Sequence, residues 1–238
     1  MKPLKVLSEL FYPSGIKCVI CGDELPSSSR YCICERCEPS YNVSYCERCG
    51  RAMKNMAHFC EDCKNEPRSF KLARAPLVYE NDVVKLVYKL KYGGGKYLAS
   101  VMAEFMADTY YESGFEADII CYVPMYPTAE KKRGYNQAKL LAESVSEILG
   151  LPVENALAKV KDLPHLARMN RRERAEAIVG AYTVIDRSLV HGKNVLLIDD
   201  VFTTGATSGE CARVLHSAHA GEIMVLSFAT GRIRPELY

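Results

Sequence analysis

The segment Val195-Leu-Leu-Ile-Asp-Asp-Val-Phe-Thr-Thr-Gly-Ala-Thr207 restricts what this chain can fold into more than any other. Four consecutive apolar residues ahead of a turn predict a strand buried on both faces, which belongs in a parallel sheet covered by helices. A helix follows, with Cys211, Val214, Leu215 and Ala218 as its core stripe. Asp199 and Asp200 then fall at the carboxyl edge of the sheet, where open α/β folds bind ligands. Adjacent carboxylates are costly to bury unless hydroxyl donors or a metal accompany them. A ribose 2,3-diol supplies such donors. Thr203, Thr204, Gly205, Ala206 and Thr207 form a small-residue turn at a helix start, where free amides, hydroxyls and the positive end of the helix dipole converge on an anion such as a 5-phosphate. An acidic strand end and an ordinary helix N-cap would explain each half separately; together, at this offset, they form a compound signal.

The rest of the chain from about residue 71 alternates strand and helix periods. Ala73 to Val78 reads as a strand. Val83, Leu86, Val87 and Leu90 fall at helical spacing, as do Leu98, Val101, Met102, Phe105 and Met106 after the turn at Lys91-Tyr-Gly-Gly-Gly. Ile119 to Val123 is a short buried strand ended by Pro124, and Leu141, Val145, Ile148 and Leu149 mark the next helix. Ala181 to Ile185 and Ile223 to Phe228 are further strands. The expectation is an α/β fold with a parallel sheet flanked by helices.

Upstream the composition changes, because nine of the eleven cysteines lie between Cys18 and Cys63. Eight of them form four Cys-x-x-Cys pairs, Cys18/Cys21, Cys34/Cys37, Cys46/Cys49 and Cys60/Cys63. Such a pair lets two sulfurs grip one metal at about 2.3 Å, and two pairs complete the tetrahedral thiolate set of a structural zinc site. Two structural zinc ions are therefore expected. Gaps of 12 and 10 residues within the two halves suggest tandem ribbons with sequential pairing, and interleaved pairing remains open on spacing alone. Disulfides and redox-active thiols are the competing explanations; a reducing compartment favours metal. Cys32 and His58 are spare, while Cys121 and Cys211 read as small apolar fillers. A boundary near Pro67 gives a cysteine module over 1–66 and an α/β domain over 71–238.

With 48% hydrophobic and 25% charged residues, and no apolar run near the roughly 20 residues a membrane span needs, the chain is expected to be soluble, without membrane insertion. The basic start is interrupted by Ser8 and Glu9 and lacks a signal-peptide core, so a cytoplasmic location is expected. A net charge of +2 carries no general argument for a nucleic-acid partner. Local basic clusters do exist: Lys131, Lys132 and Arg133 in one, and Arg168, Arg171, Arg172 and Arg174 in another. The first leaves a strand at the same sheet edge and opens a helix, where it can meet pyrophosphate or simply be a solvated loop. The second is a flexible cover for a phosphate ligand or the exposed basic face of a helix.

The segment from Val195 to Thr207 resembles the type I phosphoribosyltransferase signature, with Ala206 where Ser or Thr is frequent. Tyr122-Val-Pro-Met and Arg133-Gly-Tyr-Asn-Gln-Ala, together with Leu90-Lys-Tyr-Gly-Gly94, Gly180-Ala-Tyr182 and the paired cysteines, resemble the ComF competence-protein family over nearly the whole chain. The resemblance implies a phosphoribosyltransferase-like sheet behind a double zinc ribbon. It also implies binding of 5-phosphoribosyl-1-pyrophosphate with Mg²⁺, the ribose hydroxyls on Asp199 and Asp200 and the 5-phosphate on residues 203 to 207. A role in DNA uptake follows from it, either as a phosphoribosyltransferase of unassigned acceptor or as a non-catalytic component that binds single-stranded DNA or competence proteins through the ribbons. The chain departs from the family at Pro164-His165, where Pro-Gln is expected, and at Arg174-Ala-Glu-Ala177, where Arg-x-x-Asn is usual. No general base stands out; His165 is the only histidine in the expected covering loop.

Overall fold

The computed structural model describes residues 17–25, 30–54, 57–163 and 176–233. Its main helices are α1 (Glu61–Asn65), α2 (Asn81–Tyr92), α3 (Leu98–Glu112), α4 (Pro127–Arg133), α5 (Gln137–Leu149) and α6 (Ala206–Ser217). The strands are β1 (Leu72–Arg74), β2 (Leu77–Val78), β3 (Ile119–Tyr122), β4 (Leu157–Lys159), β5 (Tyr182–Val184), β6 (Val195–Phe202) and β7 (Ile223–Thr230).

A parallel sheet of order β1-β7-β6-β3 forms the centre, with β2 also paired to β7. Val195, Leu196, Leu197 and Ile198 of β6 are fully buried, as are most residues of β7. Removing a side chain of this size from water is worth about 1.5–3 kcal/mol, which is why the continuous apolar runs take the centre. The stripes read from sequence face this core: Val83, Leu86, Val87 and Leu90 on α2, Leu141 and Val145 on α5, and Cys211, Val214, Leu215 and Ala218 on and just after α6. Ile148 departs from its stripe and is exposed.

Two elements differ from the sequence expectation. The strand expected from Ala73 to Val78 is two strands, because Pro76 has no N–H to give the ladder; Leu72 lies opposite Met224 and Leu77 opposite Ala229. The strand near Ala181–Ile185 exists as β5 but stands outside the main sheet, antiparallel to β4 with Leu157 opposite Val184.

The cysteine-rich segment is hydrogen-bonded onto this sheet. The Ala73 N–H donates to Arg48 O (2.8 Å) and the Ile233 N–H to Ala52 O (2.9 Å). The Asn42 amide donates to Gly50 O (2.8 Å) and Ala75 O (3.1 Å). Gly50 has φ +67°, and a Cβ there would lie 2.3 Å from Ala73 O, so only glycine permits this approach to β1. Further upstream, Lys89 Nζ donates to Val19 O (3.1 Å) and Ile20 O (3.2 Å), and the Tyr31 ring stacks on Phe105 at 3.7 Å. Backbone bonds thus cross the composition break near Pro67.

Candidate ligand site and metal centres

The register of β6 carries Asp199 opposite Ser227 and brings Asp200 with it to the carboxyl edge of the sheet. Both carboxylates are buried, at 8% and 5% exposure, and the Asp200 N–H donates to Asp199 Oδ1 at 2.9 Å. Lys91, in the last turn of α2, forms an ion pair with Asp200. Burial alone would raise the Asp200 carboxyl, but Lys91 outweighs it and holds the group below the usual carboxylate range. Burial, and then the Asp200 charge, pushes Asp199 well above that range. The two chemically identical side chains are therefore electrostatically unequal. Burial also opposes the charge on Lys91, and the two aspartates reverse that effect and raise it.

Beyond β6 the chain turns through Thr203 and Thr204 to Gly205 (φ +79°), which caps α6. A Cβ on Gly205 would come within 2.5 Å of the Phe202 ring, and that ring also stands edge-on to Phe70 at 5.9 Å. The Ala206 N–H, which the sequence left available, donates to Thr204 Oγ1 at 3.3 Å within the turn. Thr203 is exposed and Thr204 and Thr207 half-buried, so the turn borders solvent while its glycine is enclosed.

The segment expected as a basic loop ahead of the next helix instead holds a short helix of its own, α4, and the expected helix, α5, begins at Gln137; Lys131, Lys132 and Arg133 occupy the last turn of α4. Their charge there suits the negative end of the helix dipole, and it is their side chains, not helix N-terminal amides, that can meet an anion. Arg133 hydrogen-bonds Gln137, reaches Tyr92 OH (3.3 Å) and lies over the Tyr92 ring at 5.0 Å. Lys132 and Arg133 line a cavity of about 430 Å³ with Lys91, Tyr92, Gly94, Ala129 and Tyr135; Lys131 is not in its wall. Lys96 sits over the Tyr135 ring at 4.9 Å. Next to this wall, Asn136 caps α5 through the Ala138 and Lys139 amides and ties the helix to Val123 O (3.0 Å). Arg168, Arg171, Arg172, Arg174 and His165 lie outside the described residues. The contact that sequence reasoning missed is Lys91 on Asp200; its only sequence trace was the Leu90-Lys-Tyr-Gly-Gly94 motif.

Two cysteine tetrads assemble in sequential pairing: Cys18, Cys21, Cys34 and Cys37, and Cys46, Cys49, Cys60 and Cys63. Within each, the sulfurs lie within 4.8 Å of one another. All are free thiols, so disulfides do not form the module. Four sulfurs converging on one point fit tetrahedral zinc and leave no open position for chemistry. Burial raises the Cys18 thiol, yet the backbone N–H groups of Cys21, Cys34 and Ile20 outweigh this and draw it down to about 6. Burial and the neighbouring sulfurs push Cys37 up to about 12. The second tetrad is wholly buried and belongs to the main core, whereas Cys21 of the first is exposed. Arg51 lies 3.4 Å from Cys60 Sγ and pairs with Asp62. Arg68 Nε approaches Cys63 Sγ and Arg68 Nη1 approaches Thr204 O, each at 3.5 Å, so one guanidinium touches both the tetrad and the threonine turn. Cys32 and His58 stand outside both tetrads; His58 Nδ1 is 2.6 Å from Glu47.

A parallel sheet flanked by helices, with a buried acidic pair and a threonine turn toward its carboxyl edge, is joined to two four-cysteine clusters, which defines an α/β protein with a zinc-ribbon type of module. Its homologues include competence proteins. The chain is 26% identical over 225 residues to competence protein F of Haemophilus influenzae, covering 90% of this chain and 97% of that protein. It is 25% identical to competence protein ComFC of Streptococcus pneumoniae (89% and 99% covered) and 24% identical to the DNA utilization protein YhgH of Salmonella typhimurium (87% and 94%). No family model matches the chain. Similar solved structures include glutamine phosphoribosylpyrophosphate amidotransferase from B. subtilis, 23% identical with a TM-score of 0.37 over 54% of this chain and 26% of that one. Adenine phosphoribosyltransferase from Thermoanaerobacter pseudethanolicus is 15% identical, with a TM-score of 0.37 over 64% and 83%. The chain spans about a quarter of the amidotransferase. Among the described residues no helix is long and apolar enough to cross a membrane.

Proposed function

We propose that the chain binds 5-phosphoribosyl-1-pyrophosphate with Mg²⁺ and serves in the uptake or use of DNA, as the names of its relatives suggest for them. The observation that carries this reading is the buried Asp199–Asp200 pair directly ahead of the threonine turn that starts α6. In it, the aspartates accept hydrogen bonds from the ribose diol, and residues 203 to 207 hold the 5-phosphate. Lys132 and Arg133, which line the cavity with Lys91, contact the pyrophosphate. Mg²⁺ supplies charge neutralisation on the pyrophosphate. Displacement would form a bond from an acceptor to the anomeric carbon as the bond to the pyrophosphate oxygen breaks, pyrophosphate leaving with the electron pair.

A ligand that binds only the folded state must raise its stability. The thermal midpoint should therefore rise with 5-phosphoribosyl-1-pyrophosphate plus Mg²⁺ and far less with inorganic phosphate plus Mg²⁺. Asp200→Asn should weaken the shift while the chain stays folded. Equal shifts with both anions would remove the reading.

The cations over the rings of Tyr92 and Tyr135 favour a second role for the same cavity wall, contact with single-stranded DNA. Affinity for a fluorescent oligonucleotide should fall steeply with salt, and the sugar pyrophosphate should compete at fixed ionic strength. Binding that ignores the competitor moves DNA to the cysteine ribbons.

A further inference from the structure

Lys91 enters the site from α2, an element that otherwise serves the core, and ends on the more strongly ionised of the two aspartates. Among the described residues it is the one cation at ion-pair distance from either carboxylate. Its side chain is 24% exposed and that of Asp200 is 7%, so the pair is sequestered, and Lys91 also lines the cavity of about 430 Å³ with Lys132 and Arg133. Two adjacent buried carboxylates with no counter-ion would attract any divalent cation in solution. A tethered ammonium competes with that ion at a very high effective concentration. The glycines that follow, Gly93 to Gly95, end the helix directly beyond Tyr92, so Lys91 sits in its last turn.

We propose that Lys91 is the resident counter-ion of the Asp199–Asp200 pair: it keeps a lone divalent cation out of the site and moves to the pyrophosphate of a ligand that arrives carrying its own metal. The second half rests on the proposed sugar-pyrophosphate reading; the first half does not. The diol takes over the hydrogen bonds of Asp200, and the released ammonium joins Lys132 and Arg133 along the same wall. Lys91 is thus a positioning residue that makes the site selective for a metal–ligand complex over the metal.

The test uses the full chain and Mn²⁺ alone, with free Mn²⁺ read by electron paramagnetic resonance and the thermal midpoint read in parallel. The native protein and Lys91→Arg should leave Mn²⁺ free and show no shift. Lys91→Met should bind one further Mn²⁺ per chain and melt several degrees higher in its presence. Adding Asp200→Asn to Lys91→Met should abolish the gain. Native protein that binds Mn²⁺ as well as Lys91→Met overturns the proposal, as does a folded Lys91→Met that gains no ion. Lys91→Gln serves if the Met variant does not fold; failure of both would make Lys91 purely structural and overturn it too. With ligand and Mg²⁺, Lys91→Met should bind about tenfold more weakly, the loss of one charge-assisted contact. Unchanged affinity sinks the second half. Absence of ligand binding by the native protein instead defeats the sugar-pyrophosphate reading, and leaves the Mn²⁺ result standing.

Discussion

At Gly205 the backbone must be left-handed and a side chain has no room, and both constraints come from the same turn that is assigned to the phosphate. Gly205→Ala places a Cβ against Phe202, whose ring is also in edge contact with Phe70, so relief requires the Phe202 ring to move within a packed aromatic pair. The strained φ and the overlap together should cost about 2–4 kcal/mol, seen as a lower denaturation midpoint at unchanged m-value. A loss below about 0.5 kcal/mol would mean that the turn relaxes freely, and a cradle that relaxes freely is not preorganised for an anion.

Glu210 ties two elements together. From α6 it accepts the Gly180 N–H (2.7 Å), just ahead of β5, while Arg213 donates to both of its oxygens (2.7 and 2.8 Å). Arg213 first, and the Gly180 N–H with it, hold this carboxyl below the usual range against the effect of its burial. A carboxyl depressed on folding stabilises above its unfolded value, about 4.3, and that contribution is lost as pH falls through the folded value. Glu210→Gln should therefore cost about 1–2 kcal/mol at neutral pH, and the gap to the native protein should close on acidification below pH 4. Urea titrations at several pH values measure it; a gap that stays constant to pH 3 would contradict the assignment. The β4–β5 pair that Glu210 anchors is also where the sequence was least readable. β6 and α6 declared themselves through an unbroken apolar run and a helical stripe, and the aspartates and threonines came with them. β4 has only Leu157, Ala158 and Lys159, too short for any period to emerge, and it exists because β5 lies beside it. Lys91 escaped notice for a related reason: its partner is more than a hundred positions away, and only the packing of α2 brings the two together. The cysteine tetrads were legible because each is assembled from pairs close in sequence.

For the molecule as a whole, the two tetrads differ in how much they support. About two zinc ions per chain are expected from elemental analysis. A chelator should take the first from the tetrad whose Cys21 is exposed, with the sheet left intact. The second is enclosed in the main core, so its removal should coincide with loss of amide protection in β1 and β7. Native mass spectrometry beside hydrogen exchange follows both steps, and simultaneous release would show that the tetrads are one cooperative unit. The sheet order also has a consequence in time. β7, the last of the described strands, lies between β1 and β6, so β1 and β2 stay without their partner in the main sheet until residues 223–230 have left the ribosome. The cysteine loops can close around metal long before that. During most of its synthesis a nascent chain therefore has a metal-clasped head and a main sheet that cannot close, and one cut short before β7 is material for chaperones and proteases instead of a partly working protein.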